Sequence, residues 1–265
     1  MFIKIITSIL GAVAAYLLSI ITLPILKVKK QPIALAKDKP PAPPVRNNVS
    51  FLVDGIAVSA WLYLPKDTTT PVGCVVMNNG FCGTKDMILE QYALRFVEAG
   101  IAAISFDNRY FGESGGEPRQ LYSLTKQFED ATAAVDYVRS RPEIDPDNIF
   151  VWGTSSSGNY GIGLAAEDQQ IAGVIGQTPA LDHKADGNTI IKRDGILWML
   201  KILVHAQRDK GRSRLGLSPH RFPAVGKPGS VAMLIAPDTV EGYTQLAKNS
   251  TTFKNEVCAR LMFES

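Results

Sequence analysis

Asn148 to Asp168 reads NIFVWGTSSSGNYGIGLAAED, and the fold follows from how this stretch is parsed. Ile149 to Trp152 is a short apolar run of β type. Gly153-Thr154-Ser155-Ser156-Ser157-Gly158 is a corner of small residues, and Ile162 to Ala166 continues as an apolar stretch. Strand, tight turn with a central serine, then helix is the layout of a nucleophile elbow, which lifts a hydroxyl clear of the sheet edge. Strand and helix then pass so closely that the positions two before and two after the serine must be small.

Three serines compete for that place. Around Ser155 the flanking positions are Gly153 and Ser157, one ideal and one tolerable. Around Ser156 they are Thr154 and Gly158, and a β-branched threonine crowds the approach. Around Ser157 they are Ser155 and Asn159, a poorer pair still. Ser155 is therefore the expected nucleophile. The plain alternative is a Ser/Gly-rich loop capping an ordinary helix, a common use of both residues.

Upstream, Val49 to Leu64 alternates about Asp54-Gly55 and reads as a hairpin. Val72 to Asn78 is a solid apolar run, the pattern of a strand buried on both faces. Asp86 to Ala99 has helical spacing, ended by Gly100. Ile101 to Phe106 is a second buried strand, Leu124 to Arg139 a helix, and Ile171 to Ile175 a short strand after the elbow. Strands alternating with helices predict an α/β fold: a mainly parallel sheet with flanking helices. Ligands of such sheets bind outside the carboxyl ends of the strands. The loops at Asn79, Asp107, Ser155 and Gln177 all follow strands and share that edge.

The N-terminal end has another character. Ile5 to Leu26 carries no charge and has about the length that crosses a hydrocarbon core of about 30 Å as a helix. It is too long for a typical signal-peptide core and is followed by Lys27, Lys29 and Lys30, so an uncleaved anchor over residues 1–30 is expected, with Pro24 near its end. The lysines beyond it place the main domain in the cytoplasm by the positive-inside rule. Residues 31–46, with Pro32, Pro40, Pro41, Pro43 and Pro44, read as a semi-rigid linker, and residues 47–265 as the folded domain. A net charge of +3, with no basic stripe, argues against nucleic acid. The odd number of cysteines, Cys74, Cys82 and Cys258, matches neither a disulfide framework nor a metal pattern. No cofactor and no metal are expected, and the oligomeric state is not legible.

Several segments carry a family resemblance. Asn79-Gly80-Phe81 through Thr84-Lys85-Asp86-Met87 looks like the oxyanion loop of α/β-hydrolases, in the branch of dienelactone hydrolases, acyl esterases and polyketide transferases, where it often begins His-Gly-Phe. Phe106 to Gln120, FDNRYFGESGGEPRQ, resembles that branch's FDYRGFGxSxGxPRQ segment. The elbow resembles its WGTSFSGG, and Asn255 to Arg260, NEVCAR, a later motif. Against the pattern, Asn79 replaces a histidine, Tyr110 a glycine, Ser156 an aromatic and Asn159 a glycine.

The resemblance implies attack by Ser155 on an ester, thioester or amide carbonyl of a small acyl substrate. The backbone amides of Phe81 and Ser156 would hold the oxyanion. Acid and histidine should follow in that order. Of the three histidines, His183 sits beside Asp182, His205 lies in the helical stretch Ile190 to Ala206, and His220 lies in a loop. Asp238 ends a strand-like run, Val231 to Ala236, but no histidine follows it. Asp238 and His183 are thus the weak candidates for acid and base. The alignment also makes residues of about 182–250 a cap, which puts the last core strands beyond Ser265. Three readings follow: a membrane-anchored serine hydrolase, an acyltransferase of the same fold, or a truncated, inactive remnant acting as a binding module.

Overall fold

The computed structural model describes residues 2–22, 26–66 and 69–264, the side chains of residues 2–5 and 183 excepted. The hairpin forms as expected. β1 (Arg46–Val53) and β2 (Ile56–Tyr63) pair antiparallel. Asp54 and Gly55 between them both have positive φ, 49° and 75°, the twist a two-residue hairpin loop needs. β3 (Val72–Asn78), β4 (Ala102–Phe106), β5 (Ile144–Thr154) and β6 (Ile171–Gln177) run parallel. The sheet order is β1-β2-β4-β3-β5-β6.

The period of two along the buried strands divides the core into two layers. Cys74, Val76, Ile104 and Phe106 turn to the face covered by α3 (Leu124–Arg139) and α4 (Ser156–Glu167), meeting Ala134, Val135, Tyr160 and Leu164. Val75, Met77 and Ala103 turn to the other face, where α2 (Leu89–Glu98) brings Leu89 and Ala93 against Trp61 and Trp152. The chain leaves β3 for β4 on one side, then crosses back to β5 on the other. That reversal opens a crevice at the carboxyl end of β3, the place where open parallel sheets bind ligands.

Two differences from the expected elements have local causes. α2 begins at Leu89 rather than Asp86, because residues 84–88 belong to the loop after β3. The carbonyls of Thr84 and Met87 accept from the Asn79 amide at 2.6 and 3.2 Å, and Ile88 takes a left-handed φ of 58°. The helical stretch expected over Ile190 to Ala206 is two helices, α5 (His183–Asp194) and α6 (Ile196–Arg214), broken at Gly195 with φ 88°.

Residues 182–250 stand over the carboxyl edge. They hold α5, α6, β7 (Arg221–Phe222) and α7 (Thr239–Leu246), and β7 pairs with β8 (Val257–Cys258). Trp198, Ile202, Phe222, Ala232 and Ile235 share a buried cluster with Val257 and with Cys82, Phe111 and Tyr122 of the loops below. Val231 to Ala236 is not the strand its apolar run predicted. Ala232 and Ile235 are buried, but the backbone bonds go to a loop: Met233 N–H to Pro223 at 3.1 Å and Leu234 N–H to Ala224 at 2.9 Å.

The expected transmembrane helix is not found as such. Among the described residues no helix is long and apolar enough to cross a membrane. α1 (Phe2–Thr22) fills the stretch, and Pro24 lies outside the described residues. The C-terminal turn of α1 rests on α6. Arg208 and Arg212 donate to the carbonyls of Ile20 and Ile21, satisfying acceptors a helix end leaves open. The proline-rich segment is docked rather than free. Asn255 donates to the Gln31 carbonyl at 2.7 Å, Ala36 N–H to Ser250 at 3.0 Å, and Lys39 to Glu113 at 2.8 Å.

Candidate active site

Ser155 sits between β5 and α4 with φ 56° and ψ −121°. A side-chain-bearing residue holds such a backbone only where its surroundings enforce it, at a cost of about 1–3 kcal/mol. Its N–H donates to Gln177 at 3.1 Å, and its carbonyl accepts from Ala180 at 3.0 Å. Ser155 is exposed, and its hydroxyl does not cap α4, which removes the capping-loop alternative. The small flanking residues are needed. A Cβ on Gly153 would lie 2.4 Å from the Ser157 backbone, and one on Gly158 2.9 Å from Pro179.

The other two serines are buried. Ser157 is buried; its hydroxyl accepts from the Thr154 amide at 2.8 Å and donates to the Asn78 carbonyl at 2.8 Å. Ser156 Oγ is buried without a hydrogen-bond partner among the described residues. Ser156 is also the first residue of α4, so its amide is one of the donors a helix start leaves open, at the positive end of the helix dipole.

Facing Ser155 is the loop after β3. A Cβ on Gly80 would stand 3.0 Å from the Thr154 carbonyl and 3.1 Å from Ser155 Cβ, so only glycine lets the loop approach this closely. Phe81 follows, its carbonyl accepting from the Tyr243 hydroxyl of α7 at 2.8 Å and its ring 4.8 Å from that of Tyr122. Asn79, where the resemblance implies a histidine, is buried and turned back into its own loop. Two carboxylates hold the loop from behind. Asp86 accepts from Ser250 Oγ at 2.7 Å, Thr84 Oγ1 at 2.7 Å and the Thr251 amide at 2.9 Å. Asp107, fully buried, accepts from the Lys85 amide at 2.7 Å and from Lys85 Nζ at 2.6 Å.

Between the loop, the carboxyl end of β5, α2 and α7 lies a cavity of about 300 Å³. Ser155, Gly80 and Phe81 form one wall; Tyr92, Trp152, Leu234, Tyr243 and Leu246 form much of the rest. The lining is mostly apolar, with no carboxylate, lysine or histidine among the described residues. Cys82 is no rival nucleophile, since burial pushes its thiol well up and keeps it protonated.

Among the described residues, the expected acid Asp238 does not line this cavity. Asp238 is exposed at the start of α7; the Arg193 guanidinium is raised chiefly by its hydrogen bond to Asp194, to which the charge of Asp238 adds. His183 opens α5 behind the capping residue Asp182, and its side chain lies outside the described residues. His205 and His220 stack on each other with Nδ1 and Nε2 2.7 Å apart. Sequence reading missed Tyr243 and Leu246 as cavity residues; their i, i+3 spacing on α7 was the available signal.

A strained serine facing a glycine-tight loop at the switch point of a parallel sheet is matched by comparison with known families. Residues 69–216 match the serine aminopeptidase S33 family of hydrolases. The chain belongs to this α/β-hydrolase family. Among similar proteins, quorum-quenching protein AidA of Acinetobacter baumannii (strain MDR-ZJ06) is 37% identical over 218 residues, covering 82% of this chain and 70% of AidA. Polyketide transferase ATR5 of Stachybotrys chlorohalonatus (strain IBT 40285) is 32% identical over 185 residues, 69% of this chain and 58% of ATR5. The chain therefore spans less than two thirds of that relative's length. The crystal structure of the α/β hydrolase GrgF of Penicillium sp. sh18 superposes with a TM-score of 0.66 at 25% identity, covering 83% of this chain and 72% of GrgF.

Within the α/β-hydrolase pattern the departures acquire reasons. Tyr110, where the resemblance implies a glycine, has φ 75°. Its N–H to Gly115 at 2.7 Å and its carbonyl bond from Gln120 at 2.8 Å hold the residue there. Asn159, another replaced glycine, donates to the Ala180 carbonyl at 2.5 Å and ties α4 to the segment after β6.

Proposed function

We propose that the chain is a serine hydrolase in which Ser155 attacks the carbonyl carbon of an ester, thioester or amide with an apolar acyl part. The observation that carries this reading is the backbone of Ser155, strained, exposed and at the wall of an apolar cavity. Attack forms a bond from Oγ to the carbonyl carbon and moves charge to the carbonyl oxygen. The amides of Phe81 and Ser156 are the donors for that oxygen, and α4 adds its positive end. The hydroxyl proton must pass to a base, which no described residue lining the cavity supplies. Collapse breaks the bond to the leaving group, which takes up the serine proton and departs as the alcohol, thiol or amine, and leaves an acyl-serine. Water then releases the acid; an incoming acceptor would instead make the reaction an acyl transfer, a version supported by the similarity to a polyketide transferase.

The test is labelling of the folded protein with a fluorophosphonate probe. Ser155 is expected to be modified, Ser155→Ala to abolish labelling, and Ser157→Ala not to substitute for it. A folded protein that takes no label removes the hydrolase reading. The bare cavity lining favours one second reading, a module that binds an acyl ligand without turning it over. Its mark would be saturable binding of an acyl ester with no release of product.

A further inference from the structure

We infer that α1 and the outer face of α6 together form a docking surface for an anionic lipid bilayer, on which the protein lies without spanning it. Ile9, Leu10, Val13 and Leu17 of α1 are 57, 62, 49 and 51% exposed. An apolar helix this open to water is an incomplete structure, since exposed apolar patches of such extent mark an interaction site. α6 continues the face: Leu197, Leu200 and Val204, spaced i, i+3, i+7, are 71, 51 and 40% exposed. Between the two helices runs a groove of about 620 Å³ whose floor includes Ile20, Leu200 and Val204, with Lys210 and Arg214 along its length.

Charge selects the occupant. The first acidic residue of the chain is Asp38, so α1 and the Lys27, Lys29 and Lys30 cluster carry cations alone. α6 has Lys201, Lys210, Arg212 and Arg214, with Arg208 buried against α1, and its one carboxylate, Asp209, is fully buried. A second copy of this chain docked on the same face would bring those cations against each other. Anionic headgroups beside acyl chains complement both properties, as for helices that lie in the interfacial plane. Each Lys or Arg near such a surface adds to the attraction. The inference does not depend on the chemistry at Ser155.

The test uses the full chain with vesicles of phosphatidylcholine alone or with phosphatidylglycerol added. Leu197→Trp puts an indole at the most exposed point of the α6 face, while Trp61, Trp152 and Trp198 are all buried. Its emission should be quenched by brominated acyl chains in the anionic vesicles. The combined variant Lys201→Glu, Lys210→Glu, Arg214→Glu should lower the bound fraction by about tenfold or more, and salt should act in the same direction. An indole that stays unquenched while the protein floats with vesicles would overturn the inference, because α1 alone would then carry attachment. Equal binding to both vesicle types by the charge-reversed variant would also overturn it. So would an indole shielded in a concentration-dependent dimer without lipid. Fluorophosphonate labelling of the same samples reports separately on the hydrolase reading and on folding.

Discussion

Single glycines decide how near the reactive parts stand. Gly153→Ala would drive a methyl to 2.4 Å from the Ser157 backbone. Backbone gives little, and overpacking of this kind costs about 1–3 kcal/mol or more. The expected outcome is a lowered urea midpoint together with lost labelling of Ser155. Gly80→Ala separates the two effects. Its contacts, 3.0 Å to Thr154 and 3.1 Å to Ser155, relax if the loop retreats by a few tenths of an ångström. Stability should change little, while the labelling rate falls. Equal losses in both variants would show that Gly80 is only a packing residue. The elbow was legible because its physical demands are local: small residues at fixed offsets from one serine. Tyr110 shows the limit of that logic. Its left-handed backbone is imposed by Gly115 and Gln120, partners that pattern matching to a glycine does not reveal.

At the scale of elements, strands and core helices followed from period alone, and α3 begins and ends where its spacing predicted. The cap did not follow. Val231 to Ala236 is as apolar as a strand, yet its neighbours are loops, so burial was legible and pairing was not. Asp238 then became a helix start instead of a strand-end acid. The loop after β3 depends on Asp86, which joins it to the Ser250–Thr252 segment. Asp86→Ala would leave buried donors without an acceptor, at about 1–3 kcal/mol for each unsatisfied group. Denaturant unfolding should show that loss, and labelling of Ser155 should slow in the fraction still folded. Acid acts elsewhere in the cap. Burial, then the charges of His205, Arg208 and Arg212, hold the His220 imidazole down to about 3 from 6.5. The fold therefore favours neutral His220. Its contribution is complete above pH 6.5 and is lost as pH falls toward 3. His220→Asn should flatten that limb of the melting temperature against pH. An unchanged slope would assign acid sensitivity to other groups. Glu113 acts lower: burial opposes Lys39 and Lys85, and these bring its carboxyl to about 2.

Across the whole molecule, the proline-rich segment departs most from its composition. Prolines announced an extended chain; the segment forms neither helix nor strand before β1, and Ile33 packs against both the cap cluster and the Met87–Phe253 cluster. Composition reports stiffness and says nothing of what a strap lies against. Ile33→Ala should cost about 1–2 kcal/mol, below the range for a fully buried isoleucine because Ile33 is only half-buried. A melting temperature equal to the parent's would mean the strap is a passenger. The order in which the strap is fastened has a mechanical consequence. Counting from α1, its bonds reach Asn255 and Ser250 before they reach the sheet at Val45 and Leu64. Ser250 in turn grips Asp86 behind the loop that faces Ser155. A pull on the N-terminal end thus strains the α1–α6 contact first, then the loop that lines the cavity at Ser155, and the rigid sheet feels it last.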